Sequence, residues 1–320
     1  MPTTADLIFG HGFRTGIVSV EPDSSAGTAT LYRRLGDRTE RDVVPLANWL
    51  VARKPQPASI ELSGAHELRH LTIGSNARAI GDRARILAPD QRLAYLDPIT
   101  SHLVATGDTF FKDLRFSQLR RMQFDIETLD VDPDRDDAAI VIIALRDDRG
   151  FEEVLSLDRF ANEGAMIEAF ARLVRERDPD VLEGHNVFNF DLWYLAGRAR
   201  RFGVDLVLGR DGRTPMWLDD SLRRSTQSGM LVKYYRIEGR QISDTFISAV
   251  RWDVGRKLPN YKLKHIVRHL GIGDEGRTLV DAANMRTLWS DPDMRAKLKA
   301  YCLDDARDTD RLSVLVTPNE

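Results

Sequence analysis

The chain reads as an α/β protein, a sheet covered by helices preceded by a smaller β-rich N-terminal domain, on three observations. Residues 1–112 break into short strand-like runs separated by turns. From Arg121 onward three longer apolar runs follow one another at strand spacing, and helical periodicity then alternates with two further short strands. Such an order is the signature of a sheet with helices packed on it.

In the first part, Gly16–Val20, Thr28–Tyr32, Ala58–Leu62, Leu68–Ile73 and Ala84–Leu87 are strand candidates, with one helix candidate at Val44–Arg53. In the second, Met122–Ile126, Ala139–Leu145 and Phe151–Leu157 are strands joined by the acidic stretches 130–137 and 147–150. Ala165–Arg177 is a helix, since Met166, Ile167, Phe170 and Val174 recur at helical spacing, and Pro179 ends it. Val181-Leu182 is a short strand running into Gly184-His185-Asn186, and Asp191–Phe202 a second helix with Asn189 as its cap. Residues 205–242 form a loop or hairpin excursion that returns through a strand, Gln241–Ile247. Tyr261–Leu270 is a helix stopped by Gly271, and Pro292 opens the last helix, through Val314. The domain boundary falls at 112/113.

The 320 residues are 42% hydrophobic and 30% charged, as expected of a chain that buries a core. Cys302 is the single cysteine, which excludes an intrachain disulfide and an all-cysteine zinc site and suits a reducing, cytoplasmic setting. No segment approaches the roughly 18 consecutive apolar residues of a membrane helix, so no membrane partner is expected. The net charge of −3 conceals an uneven distribution: Tyr194–Lys264 carries 15 Lys/Arg against 7 Asp/Glu, a local +8 that leaves −11 elsewhere. A basic segment of this kind either follows a phosphate backbone or is a solvated surface.

Chemistry concentrates in three places. Asp125 and Glu127 lie two apart in a strand, so their carboxylates share a face and repel unless cations lie between them. Asn186, Phe190 and Asp191 sit where a strand gives way to a helix. Tyr301 and Asp305 are i and i+4 in the last helix and therefore neighbours on its surface, with Asp304 and Asp308 beside them. Carboxylate oxygens suit hard divalent cations better than zinc. A phenol titrating near 10 is a poor base at neutral pH, so Tyr301 is assigned the orientation of a water rather than its deprotonation. Other patterns are discounted. Gly271–Gly276 follows a helix and not a strand, His265/His269 lacks the glutamate of a zinc helix, and Asp130/Asp132/Asp134 lacks the glycine and terminal glutamate of a calcium loop.

Taken together, Phe124-Asp125-Ile126-Glu127-Thr128, Asn186 with Phe190-Asp191, and Tyr301 with Asp305 resemble the three motifs of the 3′-to-5′ proofreading exonuclease domain of family B DNA polymerases. This is the tyrosine branch of the DEDD exonucleases. Residues 239–245 and 259–263, including Tyr261, resemble that domain's late strand and following helix, and 97–112 its entry linker. Residues 1–95 resemble the polymerase N-terminal domain more loosely. The resemblance implies a ribonuclease-H-like mixed sheet and two Mg²⁺ or Mn²⁺ ions, with Asp125 bridging, Glu127 and Asp305 completing one site and Asp191 holding the second. It implies Thr128 and Asn186 on the terminal nucleotide, while Phe190 either presses on the base or packs in the core. Arg198, Arg200, Arg201, Arg223, Arg224, Lys233 and Arg236, with Tyr234 and Tyr235, would follow a single strand, and 213–238 is a candidate strand-separating hairpin. The substrate expected is a single-stranded DNA 3′ end. The alternatives are an RNA end, or binding of nucleic acid without catalysis. With ten residues after Asp310 and no palm, fingers or thumb, no polymerase activity is expected. The chain is then a free-standing relative of the proofreading module or a fragment cut at a domain boundary.

Overall fold

The computed structural model describes residues 11–74, 76–94, 97–218, 232–274, 276–278, 280 and 284–319. Its contacts divide the chain into two compact units, residues 1–118 and 119–320. The sequence alone had placed the boundary at 112/113.

The first unit contains β1 (Ile17–Asp23), β2 (Thr28–Leu35), β3 (Arg38–Pro45), β4 (Asn48–Ala52), β5 (Ile60–Glu61), β6 (His70–Gly74), α1 (Ala77–Arg85), β7 (Arg92–Leu93) and α2 (Pro98–Thr106). β1-β2-β3 form one antiparallel sheet and β5-β6-β4-β7 another. Two expectations fail here. Val44–Arg53 is not a helix but the end of β3 and the whole of β4, because Val44 and Pro45 pair with Ala29 and Thr28, and Trp49, Leu50 and Val51 pair with Ile73, Thr72 and Leu71. Ala84–Leu87 is not a strand. Asn76 caps α1 by accepting from the N–H groups of Arg78 and Ala79, and Ile80 and Ala84 bury one turn apart. Helix α2, started by the Asp97 side chain on the Thr100 N–H and by Pro98, was not expected.

The second unit contains β8 (Arg121–Thr128), β9 (Ile140–Asp147), β10 (Glu152–Ser156), α3 (Glu163–Arg177), β11 (Val181–Gly184) and α4 (Asp191–Arg201). β12 (Trp217–Leu218), β13 (Tyr235–Arg236), β14 (Gln241–Asp244), α5 (Thr245–Trp252), α6 (Leu263–Leu270), α7 (Met285–Ser290) and α8 (Pro292–Val316) follow. The sheet runs β10-β9-β8-β11-β14, antiparallel across its first three strands and parallel from β8 to β14. It is thus the expected mixed sheet flanked by helices. Met122, Phe124 and Ile126 of β8 join the large core with Met166, Ile167 and Phe170 of α3 and Leu192 and Leu195 of α4. Val141, Ile142 and Ala144 of β9 face the opposite way and pack on Leu298, Cys302 and Ala306 of α8. Period-two alternation in β8 therefore turns Asp125 and Glu127 toward α8.

The expected strand 241–247 ends at Asp244, whose side chain accepts from the Phe246 N–H and starts α5. Asn189 does not cap α4. The residue before that helix is Phe190, and the Asn189 amide reaches Asn186 instead. No helix among the described residues is long and apolar enough to cross a membrane. Arg223, Arg224 and the middle of the 213–238 hairpin lie outside the described residues, and on either side of them Trp217 and Leu218 pair with Arg236 and Tyr235.

Candidate metal centre and nucleotide cleft

β8 carries the first two acids in the middle of the sheet. At its end the pairing with β9 slips, Glu127 facing Ile142 and Thr128 facing Ile140. Such a bulge re-aims the side chains at a strand end. The third acid, Asp191, is the first residue of α4, and its Oδ1 accepts from the Ile126 N–H at 3.3 Å. That bond ties the start of α4 to the backbone between Asp125 and Glu127. The fourth, Asp305, projects from α8 beside Tyr301 and Cys302, all three buried. The Cys302 thiol donates to Asp125 Oδ2 at 3.3 Å, and ligand atoms of Asp125, Glu127 and Cys302 lie within 4.8 Å of one another.

The proximity of these acids makes each harder to ionise. Burial raises Asp125 well above the usual carboxylate range, and Asp305, Asp191 and Glu127 push it in the same direction. Burial and then the charge of Asp305 raise Glu127 to about 8. Asp191 is raised to about 7 by burial, with the carboxylates of Asp244 and Asp305 adding to the effect. Asp305 is raised by burial against the opposing pull of Lys264 and Arg277. A cluster holding more negative charge than its surroundings neutralise, built from hard oxygen donors, fits divalent cations.

A cleft of about 580 Å³ opens beside Glu127, lined by Thr128, Asp130, Phe190, Asn284, Arg286 and Thr287 among others. Its size is in the range of small-ligand sites. Thr128 and Phe190 therefore line a space next to the acids, although the Thr128 hydroxyl is engaged by the Asp130 carbonyl at 2.8 Å. Asn186 adopts a left-handed backbone, φ 65°, and turns the chain from β11 into the segment before α4. The turn is held by Asp244, which accepts from the N–H groups of Asn186 at 2.8 Å and Phe188 at 3.2 Å.

The basic residues are less uniform. Arg198 is corrected: its guanidinium is buried against Glu163, 2.6 Å away, and also donates to the Pro133 carbonyl, so it holds α4 to α3 and meets no strand. Arg201 pairs with Asp136 at the surface. Lys233 places its ammonium 4.2 Å from the Trp193 ring centroid, and Tyr234 packs on Phe188. The Tyr261 hydroxyl donates to Asp253 and accepts from Arg256, while its carbonyl lies 2.9 Å from His185 Nε2. Tyr261 thereby braces the segment ahead of Asn186.

Several residues at the centre were not anticipated. Asp244 ends a strand at a helix start, a cap signal visible in sequence, but its bonds to Asn186 and Phe188 span more than fifty positions. Lys264 sets its ammonium 3.9 Å from the Tyr301 ring centroid and 3.9 Å from Asp305 Oδ2. Arg277 ion-pairs with both Asp305 and Asp308. Neither cation lies in a recognisable motif.

A mixed α/β sheet flanked by helices, with acids from β8, α4 and α8 brought together at the end of β8, is the class that fold and site define. Residues 142–266, less than half of the chain, match the family described as DNA polymerase family B, exonuclease domain. The matched span includes Asn186–Asp191 but neither Asp125/Glu127 nor Tyr301/Asp305. The DNA polymerase of Thermococcus aggregans is 32% identical over 211 residues, 63% of this chain and 11% of that protein. DNA polymerase 2 of Aeropyrum pernix is 31% identical over 199 residues, 60% of this chain and 22% of that protein. The chain thus matches only a minor part of these relatives' length. The family B DNA polymerase of Pyrobaculum calidifontis superposes with a TM-score of 0.70 at 19% identity, over 96% of this chain and 46% of that one, a likeness of fold.

Proposed function

We propose that the chain is a 3′-to-5′ exonuclease that shortens single-stranded DNA ends to 5′-mononucleotides with two divalent cations, Mg²⁺ or Mn²⁺, in DNA replication or repair. The observation that carries this reading is the convergence of three distant segments next to a cleft of nucleotide size: ligand atoms of Asp125 and Glu127 lie within 4.8 Å of each other and of Cys302, three residues before Asp305, and Asp191 accepts from the Ile126 N–H between the first two acids. Asp125, Glu127 and Asp305 would hold one cation, and Asp125 with Asp191 the other. Bound there, the pair would supply activation of water on one side of phosphorus and neutralisation of the leaving oxygen on the other. The remaining work belongs to side chains. Phe190 and Thr128 receive the terminal nucleotide beside Glu127, and Asn186 shapes the turn that presents Asp191. Tyr301, buried one helical turn from Asp305, directs the attacking water at phosphorus as the bond to the 3′-oxygen breaks. Lys233 and Arg201 lie on the surface where the strand would run. The β-rich N-terminal unit is read as the counterpart of a polymerase N-terminal domain.

The test uses single strands labelled at either end, with Mg²⁺ or Mn²⁺ and with EDTA. Stepwise loss from the 3′ end, abolished by EDTA and by Asp125→Ala with Glu127→Ala while strand binding persists, is the expected result. Undiminished digestion by that double variant would remove the assigned site. Faster trimming of a matched RNA would move the substrate to RNA.

A further inference from the structure

Among the described residues, Asp125, Glu127 and Asp191 have no ion pair, whereas Asp305 has two cations against it. Lys264 stands 3.9 Å from its Oδ2, and the Arg277 guanidinium contacts its Oδ1. The same guanidinium reaches Asp308, three residues on along α8 and therefore on the same side of the helix. Asp308 is almost wholly buried and its Oδ1 also accepts from Arg311 at 2.8 Å. Arg277 further lines an open pocket of about 380 Å³ together with Lys264, Arg268 and Asp274. The side chain therefore has a second anion to hold and space beside it.

We propose that Arg277 is a resident counter-cation of the metal centre, and that a divalent cation reaches Asp305 only by displacing Arg277 onto Asp308. The inference rests on the metal-binding reading above and adds to it a competition built into the protein. An arginine and a divalent cation cannot both neutralise one carboxylate oxygen, so the affinity of the Asp305 side is set by the difference between the two. Asp308 acts on the metal through Arg277, as the place to which the guanidinium retreats. Removing Arg277 should tighten metal binding, and removing the charge of Asp308 should weaken it by leaving Arg277 wholly to Asp305. A purely structural role would impair both variants in the same direction.

The experiment is a titration of Mn²⁺ into the full chain without nucleic acid, read by the electron paramagnetic resonance of free Mn²⁺. Arg277→Gln is expected to bind roughly fivefold or more tightly, the lower range of an ordinary coupling between sites. Asp308→Asn is expected to bind more weakly than wild type, and the double variant to behave like Arg277→Gln. Arg277→Lys, which keeps the charge without the two-pronged contact, is expected to fall between and serves if the glutamine variant does not fold. Equal or weaker binding by the Arg277 variants, or tighter binding by Asp308→Asn, overturns the proposal while leaving the metal centre in place. No Mn²⁺ binding to wild type would overturn both.

Discussion

Single residues divide by whether their chemistry is local. Tyr301 and Asp305 share one helix, and their i, i+4 relation was readable because helical geometry is regular. Their roles separate in a measurement. Asp305→Ala removes a carboxylate of the charged cluster, whereas Tyr301→Phe keeps the buried ring under Lys264 and loses only a hydroxyl. Asp305→Ala is expected to reduce single-turnover cleavage of a DNA strand by orders of magnitude, and Tyr301→Phe by less. The reverse order would show that Tyr301 does more than orient water. Cys302, whose thiol donates to Asp125, shows the opposite limit of sequence reading. A cysteine between two recognised residues carried no signal until β8 was laid against α8.

Elements place these residues, and their ties are seldom visible in sequence. Helix α4 brings Asp191 to β8, and it is fastened to α3 by the buried pair Arg198–Glu163. Glu163 is the first residue of α3 and also accepts from the Ile140 N–H at 2.9 Å, so it links two helices to β9. Breaking such a pair leaves one charge buried alone, which costs about 3–5 kcal/mol. Both Arg198→Ala and Glu163→Ala are accordingly expected to lower stability to chemical denaturation by that order. If Arg198 instead served the nucleic acid, only its own replacement would weaken strand binding, with stability unchanged. The helix boundaries were predicted well where caps and breakers are local, at Pro179, Gly271 and Pro292. They were missed where cross-strand pairing decided, as at β4, or where a short helix such as α5 follows a strand directly.

For the molecule as a whole, raised acid pKa values link stability to pH and to metal. Glu127 at about 8 and Asp191 at about 7 stand above the unfolded range near 4. Between those limits the folded, metal-free protein holds protons that the unfolded chain has lost. Unfolding then releases protons, and stability falls as pH rises through the window. Below pH 4 the contribution is complete, and above about 8 it is gone. Melting curves of EDTA-treated wild type and Glu127→Gln, compared from pH 4 to 8.5, should diverge with the variant gaining on wild type as pH rises. Mg²⁺ or Mn²⁺ should recover wild type most at the alkaline end, since ions that bind only the folded state stabilise it by mass action. Parallel curves would mean that the cluster is not the strained, proton-holding site its burial implies.

By itself the sequence determined the α/β class, most strands and helices of the second unit, and which acids and tyrosine to watch. These follow from periods of two and 3.6 residues and from caps, breakers and motif spacing, all properties of contiguous chain. Only the tertiary structure decided that Arg198 is an internal strut, that Asp244 holds the turn before Asp191, and that Lys264 and Arg277 attend Asp305. Each of those facts is an encounter between polar or charged groups that lie tens of residues apart along the chain. Their pairing depends on which faces the folded sheet and helices turn toward one another, and no local pattern encodes it.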